Sequence, residues 1–427
     1  MKRILVSLVI VFFIAKQANA AFILLPMDEK QKNHLKAYGI AYWILGKNID
    51  TWWLLNYRGG SFAFPSSPTF EKECLTRGVS YEVIADAQFV KIREEIANPE
   101  VNMDAIKLEK APKVAVYTPD INEKGERINP WDDAVTLVLT YAEIPYDRLY
   151  DEEILNDKLP KYDWLHLHHE DFTGQYGKFY ASYHTMPWYR ENQRRAEALA
   201  TRLGFQKVSK LKLAVVNRVR EFVGGGGFMF AMCSATDTWD IASAAAGTDI
   251  CESMFDGDGA DPNAQEKLDF SKTFAFQDFQ LVKNPMTYEY SSIDNSPENG
   301  RRVNPEQDYF TLFDYSAKWD PIPTMLTQNH TRTIKGFMGQ TTAFARKYIK
   351  PEVLILGENK PAGEARLIHS SFGQGTWTFY GGHDPEDYQH RVGDPETDLS
   401  LHPNSPGYRL ILNNILFPAA KKKQRKT

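Results

Sequence analysis

Between residues 114 and 232, short apolar runs alternate with longer stretches of helical period, and this alternation limits the chain's fold more than any other feature. Strand-like runs lie at 114–117, 146–150, 163–168 and 228–232, and helical patterns at 133–141, 189–203 and 211–222. Strand, helix, strand in succession calls for a parallel sheet wrapped by helices. A further helix is expected to start near Thr238. Regularity returns at 353–357, 365–369 and 376–380, the last two runs joined by Gly373-Gln374-Gly375, and a closing helix is expected at 408–416.

Between about 253 and 348 the pattern breaks into acidic, Pro- and Asn-containing loops, as in an insertion or elaborated lid. Ahead of the alternation, residues 21–111 read as a smaller α/β unit. It holds a strand at 22–25, a helix at 33–45, a hairpin at 52–57 and 61–64 turned by Arg58-Gly59-Gly60, a strand at 81–84 and a helix at 89–96. Ala111-Pro112 marks the boundary. The expected fold class is α/β: an open, mostly parallel, flavodoxin-like sheet in residues 112–420, with a smaller N-terminal α/β domain at 21–111.

The first twenty residues read as a signal peptide. Lys2 and Arg3 precede an apolar run at 4–15, and Ala18-Asn19-Ala20 supplies the small residues of a cleavage site. That run is too short for a membrane span, which needs about 20 residues. A periplasmic or extracellular protein beginning at Ala21 is therefore expected. The chain is acidic, with a net charge of −5, and losing the cationic leader makes it more so. Only the tail at 421–427 is basic, and it reads as a solvated end, so no nucleic-acid partner is expected. Three cysteines, Cys74, Cys233 and Cys251, are an odd count for an exported chain, and at least one should be unpaired within it.

The strongest local signal is Ala231-Met232-Cys233-Ser234-Ala235, between an apolar strand and a helix. A nucleophile elbow needs a sharp turn with small residues two before and two after the nucleophile, and Ala231 and Ala235 meet that demand. The Ser234 N–H would face an oxyanion, and the helix terminus would lower the thiol pKa. Alternatively, Cys233 is a small buried residue or a disulfide partner of Cys251. A thiolate needs a base, and His383 follows the strand at 376–380, with Glu386 or Asp384 available to orient it.

A second group, His166-Leu167-His168-His169-Glu170, lies at the end of an expected parallel strand, where open α/β sheets place ligands. Period two puts His166 and His168 on one face and His169 on the other. These residues read as lining a site. A divalent metal at His166, His168 and His169 is the alternative, with Cys233 or His383 as a further ligand if the strand tips meet. Asp256-Gly257-Asp258-Gly259-Ala260-Asp261 starts like a calcium loop, but position six is Asp261 and position twelve Lys267, so it reads as an acidic surface turn. Aromatic residues, 13% of the chain, include Trp52, Trp53, Trp188 and Trp239, which either line a glycan or peptide groove or fill the core.

The order strand, elbow Cys, later strand, His and acid resembles the class I glutamine amidotransferase-like fold, whose triad runs Cys, His, Glu with the acid two residues beyond the His. Residues 113–251 and 353–417 cover it. Here Pro385 stands at the acid position, with Glu386 one further on, and alanines replace the family's elbow glycines. The stretches Asn33-His34-Leu35-Lys36-Ala37-Tyr38-Gly39, Leu55-Asn56-Tyr57-Arg58-Gly59-Gly60, 166–174 and 383–393 resemble a secreted bacterial family commonly labelled asparagine synthetase B. ATP-dependent chemistry is not expected, because there is no Walker A loop and Gly224 to Gly227 precede a strand instead of following one.

The expected function is a cysteine-dependent hydrolase of an amide or related acyl bond, taking a small-molecule, peptide or glycan substrate. Cys233 attacks, His383 serves as base and then acid, Glu386 orients His383, Ser234 N–H holds the oxyanion, and His166, His168, His169, Glu170 and Asp384 shape the pocket. No cofactor is required unless the histidine cluster holds a metal. The competing expectations are a non-catalytic envelope binding or structural protein with the same fold, and a metal-dependent hydrolase.

Overall fold

The computed structural model describes residues 21–119, 133–391 and 394–420. The expected signal peptide and the basic tail lie outside the described residues.

The N-terminal unit is a five-stranded antiparallel sheet built from β1 (Ala21–Leu25), β2 (Thr51–Leu55), β3 (Ser61–Pro65), β4 (Glu82–Ala85) and β5 (Asp104–Leu108), in the order β4-β1-β3-β2-β5. The expected hairpin is β2–β3, with Trp53 paired to Phe62. Its corner turns through Arg58, Gly59 and Gly60, all at positive φ. Gly59 is required there, because a Cβ would stand 2.3 Å from the Met27 carbonyl oxygen. The helix His34–Leu45 opens on Asn33, whose side chain accepts the Lys36 N–H.

The second sheet has ten strands: β6 (Val114–Tyr117), β7 (Asp147–Leu149), β8 (Trp164–Leu167), β9 (Phe228–Met232), β10 (Tyr309–Leu312), β11 (Thr333–Lys335), β12 (Phe344–Ala345), β13 (Leu354–Asn359), β14 (Glu364–Phe372) and β15 (Gly375–Tyr380). Its order is β11-β10-β13-β14-β15-β9-β8-β6-β7, with β12 added to β14. The strands from β15 to β7 are parallel neighbours. From β15 outward through β14, β13, β10 and β11 every pairing is antiparallel.

The sheet is therefore mixed rather than mostly parallel. The tight Gly373-Gln374-Gly375 turn permits only a hairpin between β14 and β15. The irregular region at 253–348 is also more than a lid, since it supplies β10, β11 and β12 to the sheet.

Alternate residues of the parallel strands enter two different cores. Val114, Val116, Trp164, Phe230, Met232 and Tyr380 face one side, with the N-terminal unit and the helix Pro406–Leu416. Ala115, Leu165, Leu167, Met229, Ala231 and Phe379 face the other, under the helices Val208–Gly224 and Ser234–Ala244. Both faces are covered, which is why β6 and β9 are apolar throughout. The boundary at 111–112 divides the two sheets but not the core. Tyr42 donates to the Pro112 carbonyl at 2.7 Å, and Arg409 donates to the Met27 carbonyl at 3.0 Å across the junction.

Candidate functional site

Strand β9 ends at Met232, and the helix Ser234–Ala244 begins two residues later. The helix thus starts four residues earlier than expected at Thr238, because the turn is made by Cys233 alone. Cys233 has φ +50 and ψ −139, a conformation that a non-glycine residue holds only where its surroundings impose it. The Cys233 N–H donates to the Gly382 carbonyl at 3.2 Å, and the Ala235 N–H to the His168 carbonyl at 2.9 Å.

Register explains the first of these bonds. Tyr380 at the end of β15 is paired with Met232 at the end of the parallel β9, so both strands deliver their next residues to one rim. Cys233 and His383, 150 positions apart, meet there. His168 and His169, following β8 on the other side of β9, complete the group. One ligand-type atom from each of His168, His169, Cys233 and His383 lies within 4.8 Å of all the others.

Expectation and structure part company over His169. The period-two rule places it opposite His168, but β8 ends at Leu167 and the chain turns. The His169 ring lies 4.0 Å from that of His168 and 4.7 Å from that of His383. His166 belongs to a deeper layer, where Nδ1 faces the Phe230 carbonyl and Nε2 faces Asp133 Oδ2, both at 3.2 Å.

Asp133 had no assigned role in the sequence beyond starting a helix. It caps Ala134–Tyr141, with Oδ1 accepting the Val135 and Thr136 N–H groups at 2.7 and 3.0 Å. The same carboxylate faces His168 Nδ1 at 3.4 Å. Burial raises its pKa, but the adjacent His166 and His168 outweigh burial and hold it well below the ordinary carboxylate range. With its Nδ1 proton on Asp133, His168 turns a lone pair on Nε2 toward His383 Nδ1, 3.3 Å away. Burial, then His169, push the His168 pKa down to about 3, despite the Asp133 charge.

The assignment of Glu386 as the group orienting His383 is corrected. Its carboxylate pairs with His402 at 3.0 Å, because Pro385 directs the loop away from the imidazole. The Asp384 carboxylate turns back on its own loop to accept the Glu386 N–H. His383 is held instead by His168 on one side and by the His390 ring, stacked at 4.7 Å, on the other. His390 is itself held by Asp387 at 2.8 Å.

The thiol is corrected too. A helix terminus was expected to lower its pKa, yet burial dominates and pushes it up to about 11, against the backbone N–H groups of Thr341, Gln340 and Ser234. Gln340 and Thr341 carried no sequence signal, since they come from the irregular region. Arg366 holds their segment by donating to the Phe337 and Thr342 carbonyls at 2.6 and 2.9 Å, and Asp237 accepts the Thr341 hydroxyl at 2.8 Å. Cys233 and Cys251 are not joined, and all three cysteines are free and buried. Cys251 Sγ instead lies 3.3 Å from the Thr173 carbonyl.

A cleft of about 1420 Å³ opens over this rim, with His169, Glu170, Cys233, Ser234 and His383 at its base. Tyr176, Phe179, Tyr183, Trp188, Tyr189 and Tyr288 form an aromatic wall. Trp188 is at the cleft, whereas Trp53 and Trp239 are fully buried. Glu170 accepts from the buried Lys212 at 3.4 Å, and Lys212 also donates to Asp151 at 3.2 Å. Burial raises the Glu170 carboxyl, with Lys212 opposing.

Lys207 Nζ sits among Asp249, Asp256 and Asp258, at 2.6 and 3.0 Å from the first two. Among the described residues, no helix is long and apolar enough to cross a membrane.

No family model matches the chain, and no curated protein matches it. Two cytoplasmic proteins of Salmonella typhimurium are similar in structure. One is 9% identical, covering 71% of this chain and 97% of its own, with a TM-score of 0.33. The other is 10% identical, covering 72% and 100%, also at 0.33. A GH42 beta-galactosidase catalytic mutant of G. stearothermophilus is 12% identical over 64% of this chain and 27% of its own, at 0.26. Likeness of this size carries no conclusion about chemistry.

Proposed function

We propose that this protein is a hydrolase of amide or related acyl bonds, with Cys233 as the nucleophile. The observation that carries this is the backbone at Cys233: an imposed positive φ at a strand-to-helix turn, at the base of a cleft of about 1420 Å³. Such strain persists where it serves a purpose. A volume of about 1420 Å³ exceeds the 300–1,000 Å³ of ordinary small-molecule pockets. The substrate is therefore extended, a peptide or glycan-bearing chain with its scissile carbonyl over the sulfur.

In this mechanism the Cys233 proton passes to His383 as sulfur attacks the carbonyl carbon. His168 and Asp133 behind it, rather than Glu386, keep the imidazole in place. The negative oxygen is met by the Ser234 N–H, at the first position of the helix that follows the sulfur. His383 returns the proton to the leaving amine or alcohol, and water then cleaves the thioester to acid and free thiol. Because the thiol is held up at about 11, deprotonation is concerted with attack and the resting enzyme is a thiol.

Acetyl transfer from p-nitrophenyl acetate tests this. Mass spectrometry should find the acetyl group on Cys233, in the parent and in Cys251→Ala but not in Cys233→Ala. Undiminished turnover by Cys233→Ala would overturn the mechanism.

A further inference from the structure

We infer that His168, His169, His383 and Cys233 form a binding site for a divalent metal ion of the zinc class, with Asp133 as its outer support. One thiolate and three imidazoles suit zinc and its borderline-soft relatives and are a poor match for calcium or magnesium, which take oxygen ligands. All four donor atoms lie within 4.8 Å of one another. A tetrahedral site with metal–nitrogen bonds of about 2.0–2.1 Å has nitrogen–nitrogen edges of about 3.3–3.4 Å. His168 Nε2 and His383 Nδ1 are separated by 3.3 Å. That distance suits two ligands of one ion.

The surroundings match a metal centre as well. A metal-bound histidine ordinarily gives its other N–H to a carboxylate, which fixes its tautomer. His168 Nδ1 faces Asp133 at 3.4 Å, and Asp133 is itself fixed by two helix N–H groups and by His166. His166 sits behind this group, with Nδ1 at the Phe230 carbonyl and Nε2 at Asp133, and is not one of the four donors. The sulfur sits at the N-terminal end of the helix Ser234–Ala244, where the helix dipole favours thiolate charge. On binding, Cys233 releases its proton to solvent and its lone pair goes to the ion, so no redox change is involved.

This goes beyond the proposed hydrolysis and does not depend on it. A bound ion would occupy the attacking sulfur, so the loaded protein could not acylate.

The test titrates chelator-stripped full-length protein with Co²⁺, read by absorbance. One equivalent should bind, with tetrahedral d–d bands and a sulfur-to-cobalt charge-transfer band. Cys233→Ser should lose the charge-transfer band and His383→Ala should weaken binding, with circular dichroism confirming that each is folded. Asp133→Asn should weaken binding by about 10–100-fold, the usual cost of losing an outer-shell partner. Absence of saturable binding would overturn the site, as would an unchanged spectrum in both Cys233→Ser and His383→Ala.

Zn²⁺ should also block acetylation of Cys233. If no acetylation occurs even without metal, the hydrolytic proposal falls and the cobalt titration still decides this one.

Discussion

Replacing Asp133 with asparagine separates its two roles. The Asn side chain still accepts the Val135 and Thr136 N–H groups, so the helix cap survives. What is lost is the negative charge 3.2 Å from His166 and 3.4 Å from His168. A buried imidazole N–H that loses its charged acceptor ordinarily costs about 1–3 kcal/mol. Metal-stripped Asp133→Asn should therefore lose about 1–3 kcal/mol in urea unfolding at an unchanged m-value. Asp133→Ala should lose about 1 kcal/mol more, for the cap. A loss below about 0.5 kcal/mol for Asn, or equal losses for Asn and Ala, would refute the assignment of two roles to one carboxylate.

Other consequences can be checked with the same unfolding assay. Burial, then the neighbouring Arg409, hold the His34 pKa down at about 4. The unfolded imidazole takes up a proton near pH 6.5 while the folded one resists, so stability is full above that value and falls on acidification toward pH 4. The His34 share at pH 5 is about 2 kcal/mol, and His34→Gln should flatten that part of the pH profile. Lys212→Met should cost about 3–5 kcal/mol, because Asp151 and Glu170 would lose their buried cation; a change under 1 kcal/mol would contradict this. Glu386→Gln should change stability by no more than about 1 kcal/mol, since it breaks only a partly exposed pair with His402. The same variant should leave acetyl transfer within about twofold, and a large loss would restore Glu386 to the site.

Much of the scaffold was legible in residue order. Hydrophobic period located β6, β8, β9, β14 and β15 and the helices around them, because each strand buries both faces whatever its neighbours are. The elbow at Cys233 was legible for a local reason: an apolar run ending in a small-flanked cysteine can turn sharply only there. The approach of Cys233 to His383 followed from reading both as strand ends.

What residue order could not supply was direction once a strand had ended. Period two governs a side chain only while the backbone is extended, so His169, two residues beyond β8, swung to the side expected for His168 alone. Likewise Glu386 was chosen by spacing, and the turn at Pro385 sent it to His402. Asp133 was visible as a cap, but its second partners are His166 in β8 and His168 just beyond it, more than thirty residues away, and the segment of Gln340 and Thr341 is placed by Arg366, which donates to the Phe337 and Thr342 carbonyls. Local sequence thus determined the strands, the helices and the turn that presents the sulfur. Tertiary packing decided which groups face it, because charge and hydrogen bonding act through space and not along the chain.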